Sequence, residues 1–286
     1  MGVMSSSPAA RLALFLAAIQ QVLAPVFIFP RGFRGFSAGE SVPTPAEPAI
    51  YAFGIWAVIY VACLVFAVIQ LLPRYAGMPA VMTVRWRAAA LFTGSTLWLI
   101  AAKEGPSWLT VLIIWGMFAF ALAAMMKLAR WPVPLPRSVK MIAGWPLALY
   151  TGWLSLAAFV NTAAILPFWT GNTGGLGVDG LAVVMLGLAA VGAAAIISRA
   201  RGPIPYTVAV LWGLAAVAAA NGGHMRGEAF AARVFNNSAE DVPLVFWTAL
   251  AAMVATLAAL GIARSMRPRH LSHSGHHHGA HRPSLA

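Results

Sequence analysis

The stretch Pro48-Ala-Ile-Tyr-Ala-Phe-Gly-Ile-Trp-Ala-Val-Ile-Tyr60 decides how this chain folds, together with Tyr150-Thr-Gly-Trp-Leu-Ser-Leu-Ala-Ala-Phe-Val-Asn161. Neither carries a charge. Each lies in a run apolar enough to cross a bilayer, which takes about 20 mostly apolar residues. Within them Phe53, Trp56, Tyr60 and Cys63 recur at spacings of three, four and three. Tyr150, Trp153, Ala157 and Asn161 recur at three, four and four. Both spacings put the named side chains on one face of a helix. The chain is thus read as all-α, with aromatic and amide groups gathered on faces of membrane-crossing helices.

The whole composition agrees. Of 286 residues, 60% are hydrophobic and 9% charged, too few charges to cover a water-soluble domain of this size. Eight apolar segments are expected to span: roughly 12–29, 49–72, 88–102, 108–128, 142–166, 180–198, 205–221 and 243–263. The third is short and could begin near Val84. Charge placement supports this count. With the N-terminus inside, the inner segments hold Arg11, Arg74, Arg85, Arg87, Lys127, Arg130, Arg137, Lys140, Arg199, Arg201, Arg264, Arg267, Arg269 and Arg282, which is 14 of the 19 basic residues. Arg31, Arg34, Lys103, Arg226, Arg233 and all seven acidic residues fall outside. That is the positive-inside pattern. It predicts an integral protein of a bacterial inner membrane with both termini cytoplasmic. The net charge of +12 is then an inner-face excess plus a basic tail, with no nucleic-acid partner implied.

Composition divides the chain near residue 170. Nine of eleven tryptophans precede it, and Ala, Gly and Val dominate the later segments. The expected domains are a five-helix unit at 1–170, a three-helix extension at 171–265 and a basic His-rich tail at 266–286. The tail holds six of the seven histidines, a composition that can bind metal incidentally. Within the segments no metal-ligand spacing occurs, so no metal site is expected. No Asp, Glu, Lys or Arg sits in the middle of a segment, which argues against pumps, opsins and proton-coupled carriers. A lone cysteine, Cys63, excludes an intrachain disulfide. The stripes on the second and fifth segments reach the same half of the bilayer. They could wall a pocket for a flat apolar ligand, or pack between helices with Asn161 in an interhelical hydrogen bond. The Gly- and Pro-rich connector at 31–48 could cover the mouth of such a pocket.

These residues resemble the TspO/MBR family, the tryptophan-rich sensory proteins related to the translocator protein. The likeness covers residues 8–170. The run at 48–60 resembles the family's second-helix signature, with Phe-Gly one residue closer to Trp than usual. Tyr150…Asn161 resembles its fifth-helix signature with the same internal spacing, although the proline usual just before the tyrosine is missing. Trp98 sits where the third helix commonly carries a tryptophan. The resemblance implies a five-helix bundle with a noncatalytic site for a tetrapyrrole such as a porphyrin, serving sensing or transport. Carried over by position, Phe53, Trp56, Tyr60, Trp98, Tyr150, Trp153, Ala157 and Asn161 would form the ligand site. No catalytic residue and no covalent cofactor are implied; degradation of porphyrin, proposed for some members of the family, is a further reading, against which stands the lack of a charged acid or base in the pocket segments. The basic residue of a sterol-type element is absent after the fifth helix, which argues against a sterol. A different class of function stays open: a subunit that docks a membrane complex, or its own copy, through the small-residue faces of the last three helices, with no ligand chemistry of its own.

Overall fold

The computed structural model describes residues 7–29, 41–222 and 242–266, and every regular element among them is helical. Eight long helices follow the eight expected segments: α1 Pro8–Ile28, α2 Ile55–Ile69, α3 Pro79–Glu104, α4 Ser107–Ala129, α5 Trp145–Thr170, α6 Gly177–Arg199, α7 Ile204–Ala220 and α8 Pro243–Ser265. A 3₁₀ turn, Ile50–Gly54, leads into α2, and a helical turn plus a π segment, Lys140–Gly144, leads into α5. The connector residues 30–40, His224 and the histidines of the tail lie outside the described residues.

The helix ends follow from local chemistry. Ser7 caps α1, its hydroxyl accepting from the Ala10 amide at 3.2 Å, and Pro8 occupies the first turn. Gly171 ends α5 at φ +62°, where its N–H closes on the Pro167 carbonyl at 2.9 Å, a left-handed cap that suits glycine.

Among the described residues six helical stretches are long and apolar enough to cross a membrane, which makes the fold a polytopic helical membrane bundle. The number eight does not follow from the helices alone. Helix α7 has 17 residues, and α3 carries Arg85, Arg87, Lys103 and Glu104. Helix α3 also begins well before the expected Ala88, since nothing between Pro79 and Gly105 interrupts helical geometry. Arg85 thereby falls in its second turn, fully buried. Its Nε donates to Gln70 Oε1 at 2.9 Å and its Nη2 to the Ala76 carbonyl at 2.6 Å. Gln70 Nε2 in turn donates to the carbonyls of Arg11 and Ala67, both at 3.1 Å. This network fixes the α2–α3 turn and keeps the cation at the end of the helix rather than its centre.

Helix α5 is the axis. Of the apolar window in its stretch, 72% is buried, against 28–33% for the other five. One core gathers residues of α1 to α5 with Ala209 and Ala216 of α7, and a second gathers residues of α4 to α8. The outer surface carries large exposed apolar side chains, among them Val58, Val61, Leu112, Val191 and Val254, as a bilayer-facing surface requires.

Candidate functional site

At one end of the bundle α1 to α5, residues 41–54 and Asn221, just past α7, enclose a cavity of about 780 Å³, within the range of roughly 300–1,000 Å³ usual for small-molecule sites. Helix α5 supplies Trp153, Ala157 and Asn161. The stretch 50–60 supplies Phe53, Trp56 and Tyr60, α3 supplies Ser95 and Trp98, and α1 supplies Val22 and Pro25. All eight residues expected at the site are close together, but Tyr150 does not line the cavity. It is fully buried beneath it, edge-on to Trp56 at 5.6 Å and nearly parallel to Phe92 at 6.2 Å. The reason is depth, not face. Eleven residues of helix place Tyr150 about 16 Å below Asn161, past the floor made by Trp56 and Trp153.

The walls are aromatic edges against aromatic faces. Trp153 stands 6.0 Å from both Phe53 and Trp56, at interplanar angles of 78° and 81°. Trp56 also meets Tyr60 at 5.3 Å. Such pairs hold one another in place and leave flat surfaces toward the open volume. Polar groups are sparse. The Tyr60 and Ser95 hydroxyls pair at 2.7 Å, and the Trp153 indole N–H is buried without a partner. Asn161 is 7% exposed; one end of its amide is held by the Thr110 hydroxyl at 3.2 Å and the other has no protein partner.

A strap formed by residues 41–54 covers this end. Its ties run to two helices. The Val42 N–H donates to the Ala164 carbonyl of α5 at 2.9 Å. Toward α7, the Ala49 N–H donates to the Ala216 carbonyl at 3.1 Å, and Trp212 Nε1 donates to the Ala52 carbonyl at 3.0 Å. Asn221, just past α7, donates its Nδ2 to the Pro45 carbonyl at 2.8 Å. The rings of Tyr51 and Trp212 meet edge to face at 5.5 Å. Glu47 lines the cavity from this strap. Solvent still reaches it, but the protein around it pushes its carboxyl above the ordinary range.

Sequence reasoning missed Thr44, Glu47, Trp212 and Asn221. Glu47 and Thr44 stand among the prolines of a connector with no periodicity to mark their direction. Asn221 ends a segment whose boundary was indistinct. Among the described residues no group of three or more His, Cys, Asp and Glu could hold a metal ion.

Helix α7 can hold the strap because it sits very close to α5. A Cβ on Gly152 would overlap the Tyr206 carbonyl oxygen, and one on Gly213 would overlap the Leu156 side chain. The Tyr206 hydroxyl donates to Ser155 Oγ at 3.1 Å across the same crossing.

No curated protein and no solved structure matches the chain. A family profile described as TSPO-like protein matches residues 10–262, and so includes the three later helices as well as the first five. That family points to a membrane role of receptor or transporter type in general. With most of its length matched and six helices apolar enough to span, this integral membrane protein belongs to the TSPO-like family.

Proposed function

We propose that the protein is a noncatalytic receptor or carrier for a flat hydrophobic ligand of the tetrapyrrole class. The observation that carries this reading is the cavity itself: a space of about 780 Å³ walled by Phe53, Trp56, Trp98 and Trp153 and covered by the strap. The indole and phenyl faces stack on a flat ligand, and the free end of the Asn161 amide bonds a polar edge. Binding rather than turnover is proposed because Glu47 has no second acid–base side chain beside it among the described lining residues. All eight helices cross the membrane in this reading. The basic excess on one side orients both termini toward the cytoplasm of a bacterial cell, across the inner membrane.

Protoporphyrin IX titrated into protein in a nonionic detergent, followed by quenching of tryptophan fluorescence, tests the site. Trp153→Ala is expected to weaken binding by about tenfold and Asn161→Ala by about threefold. Unchanged affinity in both would remove the assignment.

A second reading rests on α6. A Cβ on Gly187 or Gly192 would meet open space, so small residues stand among the exposed Val184, Leu188 and Val191 on a surface that another membrane helix could pack against. In that reading the protein is an assembly subunit or an oligomer. Purification under native conditions distinguishes the two: a stoichiometric partner without bound pigment favours assembly, and a porphyrin absorption band favours the ligand site.

A further inference from the structure

The covered end of the cavity brings two acceptors to its lining, the Glu47 carboxylate and the Asn221 amide oxygen. Asn221 is 2% exposed and lines the cavity. Its Nδ2 donates to the Pro45 carbonyl at 2.8 Å and to the Val217 carbonyl at 2.9 Å. Both amide hydrogens are used, which fixes the orientation of the amide and leaves Oδ1 as the unpartnered atom. Beside it, Thr44 Oγ1 accepts from the Ala46 N–H at 3.3 Å, in the same turn whose Glu47 N–H bonds the Thr44 carbonyl at 3.1 Å. Glu47 follows in the strap. Among the described residues its carboxylate has neither an ion pair nor a hydrogen bond, and it is the single charged side chain in the lining.

The Glu47 carboxylate is open to solvent on one side and flanked by protein on the other, which holds it above the ordinary carboxylate range with no counter-charge among the described lining residues. A ligand cation placed there supplies that counter-charge in a medium less screened than water. A ligand anion placed beside Glu47 meets a like charge. We propose that the cavity selects flat ligands whose outer edge carries a positive charge or N–H donors, of ammonium or amidinium type, with Glu47 and Asn221 Oδ1 as the recognising acceptors, and disfavours ligands with carboxylates at that edge. The proposal rests on the ligand-pocket reading above and narrows it: within the tetrapyrrole class it favours amidated or cationic peripheries over free acids. It also makes the end of α7 part of the recognition site.

Three probes on one tricyclic skeleton test it: 9-aminoacridine as the cation, acridine as the neutral form and acridine-9-carboxylate as the anion. Their affinities are measured at pH 8 in a nonionic detergent. The cation is expected to bind about tenfold more tightly than the anion, the effect of one nearby charge in a partly screened site. Glu47→Gln should bring that ratio close to one with acridine itself unaffected, and Glu47→Lys should invert it. Acridine binding also reports that each variant is folded. A carboxylate that binds as well as the amine, or a ratio that survives Glu47→Gln, overturns the proposal. If all three bind equally and all depend on Trp153, only the charge preference falls. If none binds, the pocket reading falls and takes this proposal with it.

Discussion

The two sides of α5 are packed in opposite ways. Toward α1–α4 it turns Trp153, Ala157 and Asn161, and rings meet at 5–6 Å with a cavity between them. Toward α7 it turns Gly152 and Ser155, and the backbones come so close that a Cβ does not fit. On the first side the rings leave a volume open between them, and on the second small residues let the helices close on each other. One side is therefore suited to hold something, and the other to hold position. The two are joined by the strap, which closes the cavity of the first side through hydrogen bonds to α7 on the second.

The strongest way to break this division is to force the tight crossing apart. Gly152→Val puts branched carbons where the Tyr206 carbonyl oxygen lies, and nothing short of moving α7 relieves it. Overpacking of this kind costs about 3 kcal/mol. The apparent melting temperature in detergent should fall by roughly 6–10 °C. If α7 is what seats the strap, porphyrin affinity should fall as well, although Gly152 does not line the cavity. A normal affinity at a lowered melting temperature would show that the two sides are independent.

A gentler break severs one tie and leaves the crossing intact. Asn221→Ala removes two donated hydrogen bonds and leaves the Pro45 carbonyl without that partner. The loss is about 1–2 kcal/mol. Stopped-flow dissociation of porphyrin should accelerate by about tenfold, with the tryptophan quenching of the bound state unchanged. Trp212→Phe should act in the same direction and more weakly, since the ring contact with Tyr51 survives while the bond to the Ala52 carbonyl does not.

The aromatic side of this comparison was legible in the sequence because helical periodicity is a local property. Trp56 and Tyr60, and Trp153, Ala157 and Asn161, share faces whatever the rest of the chain does. The early start of α3 was legible only in part, as a beginning near Val84 where the helix starts at Pro79. Arg85 and Arg87 lower hydropathy but not helix propensity, and the burial of Arg85 depends on acceptors at Gln70 and Ala76. The strap was visible as a Pro- and Gly-rich connector, yet its attachment to α7 joins residues more than 150 positions apart, as in the bond from Trp212 to Ala52. No spacing rule reaches that far. The shift in composition near residue 170 gave no sign that one of the later helices, α7, would hold the strap.

Tyr150 sharpens the comparison most finely, because it belongs to the aromatic stripe and not to the cavity. Its ring supports Trp56 from below and lies against Phe92. Tyr150→Phe keeps both ring contacts, so porphyrin affinity should change by less than about twofold, a difference under about 0.5 kcal/mol. Tyr150→Ala removes the floor's support, and Trp56 can then sink into the vacated volume. Its effect on affinity should approach that of altering the wall itself, with a stability loss of about 3 kcal/mol added. Were Tyr150→Phe to weaken binding as much as Trp153→Ala, the hydroxyl would have to reach the ligand. The floor would then be open in the bound state, and the cavity would extend a full helical turn deeper than Trp153.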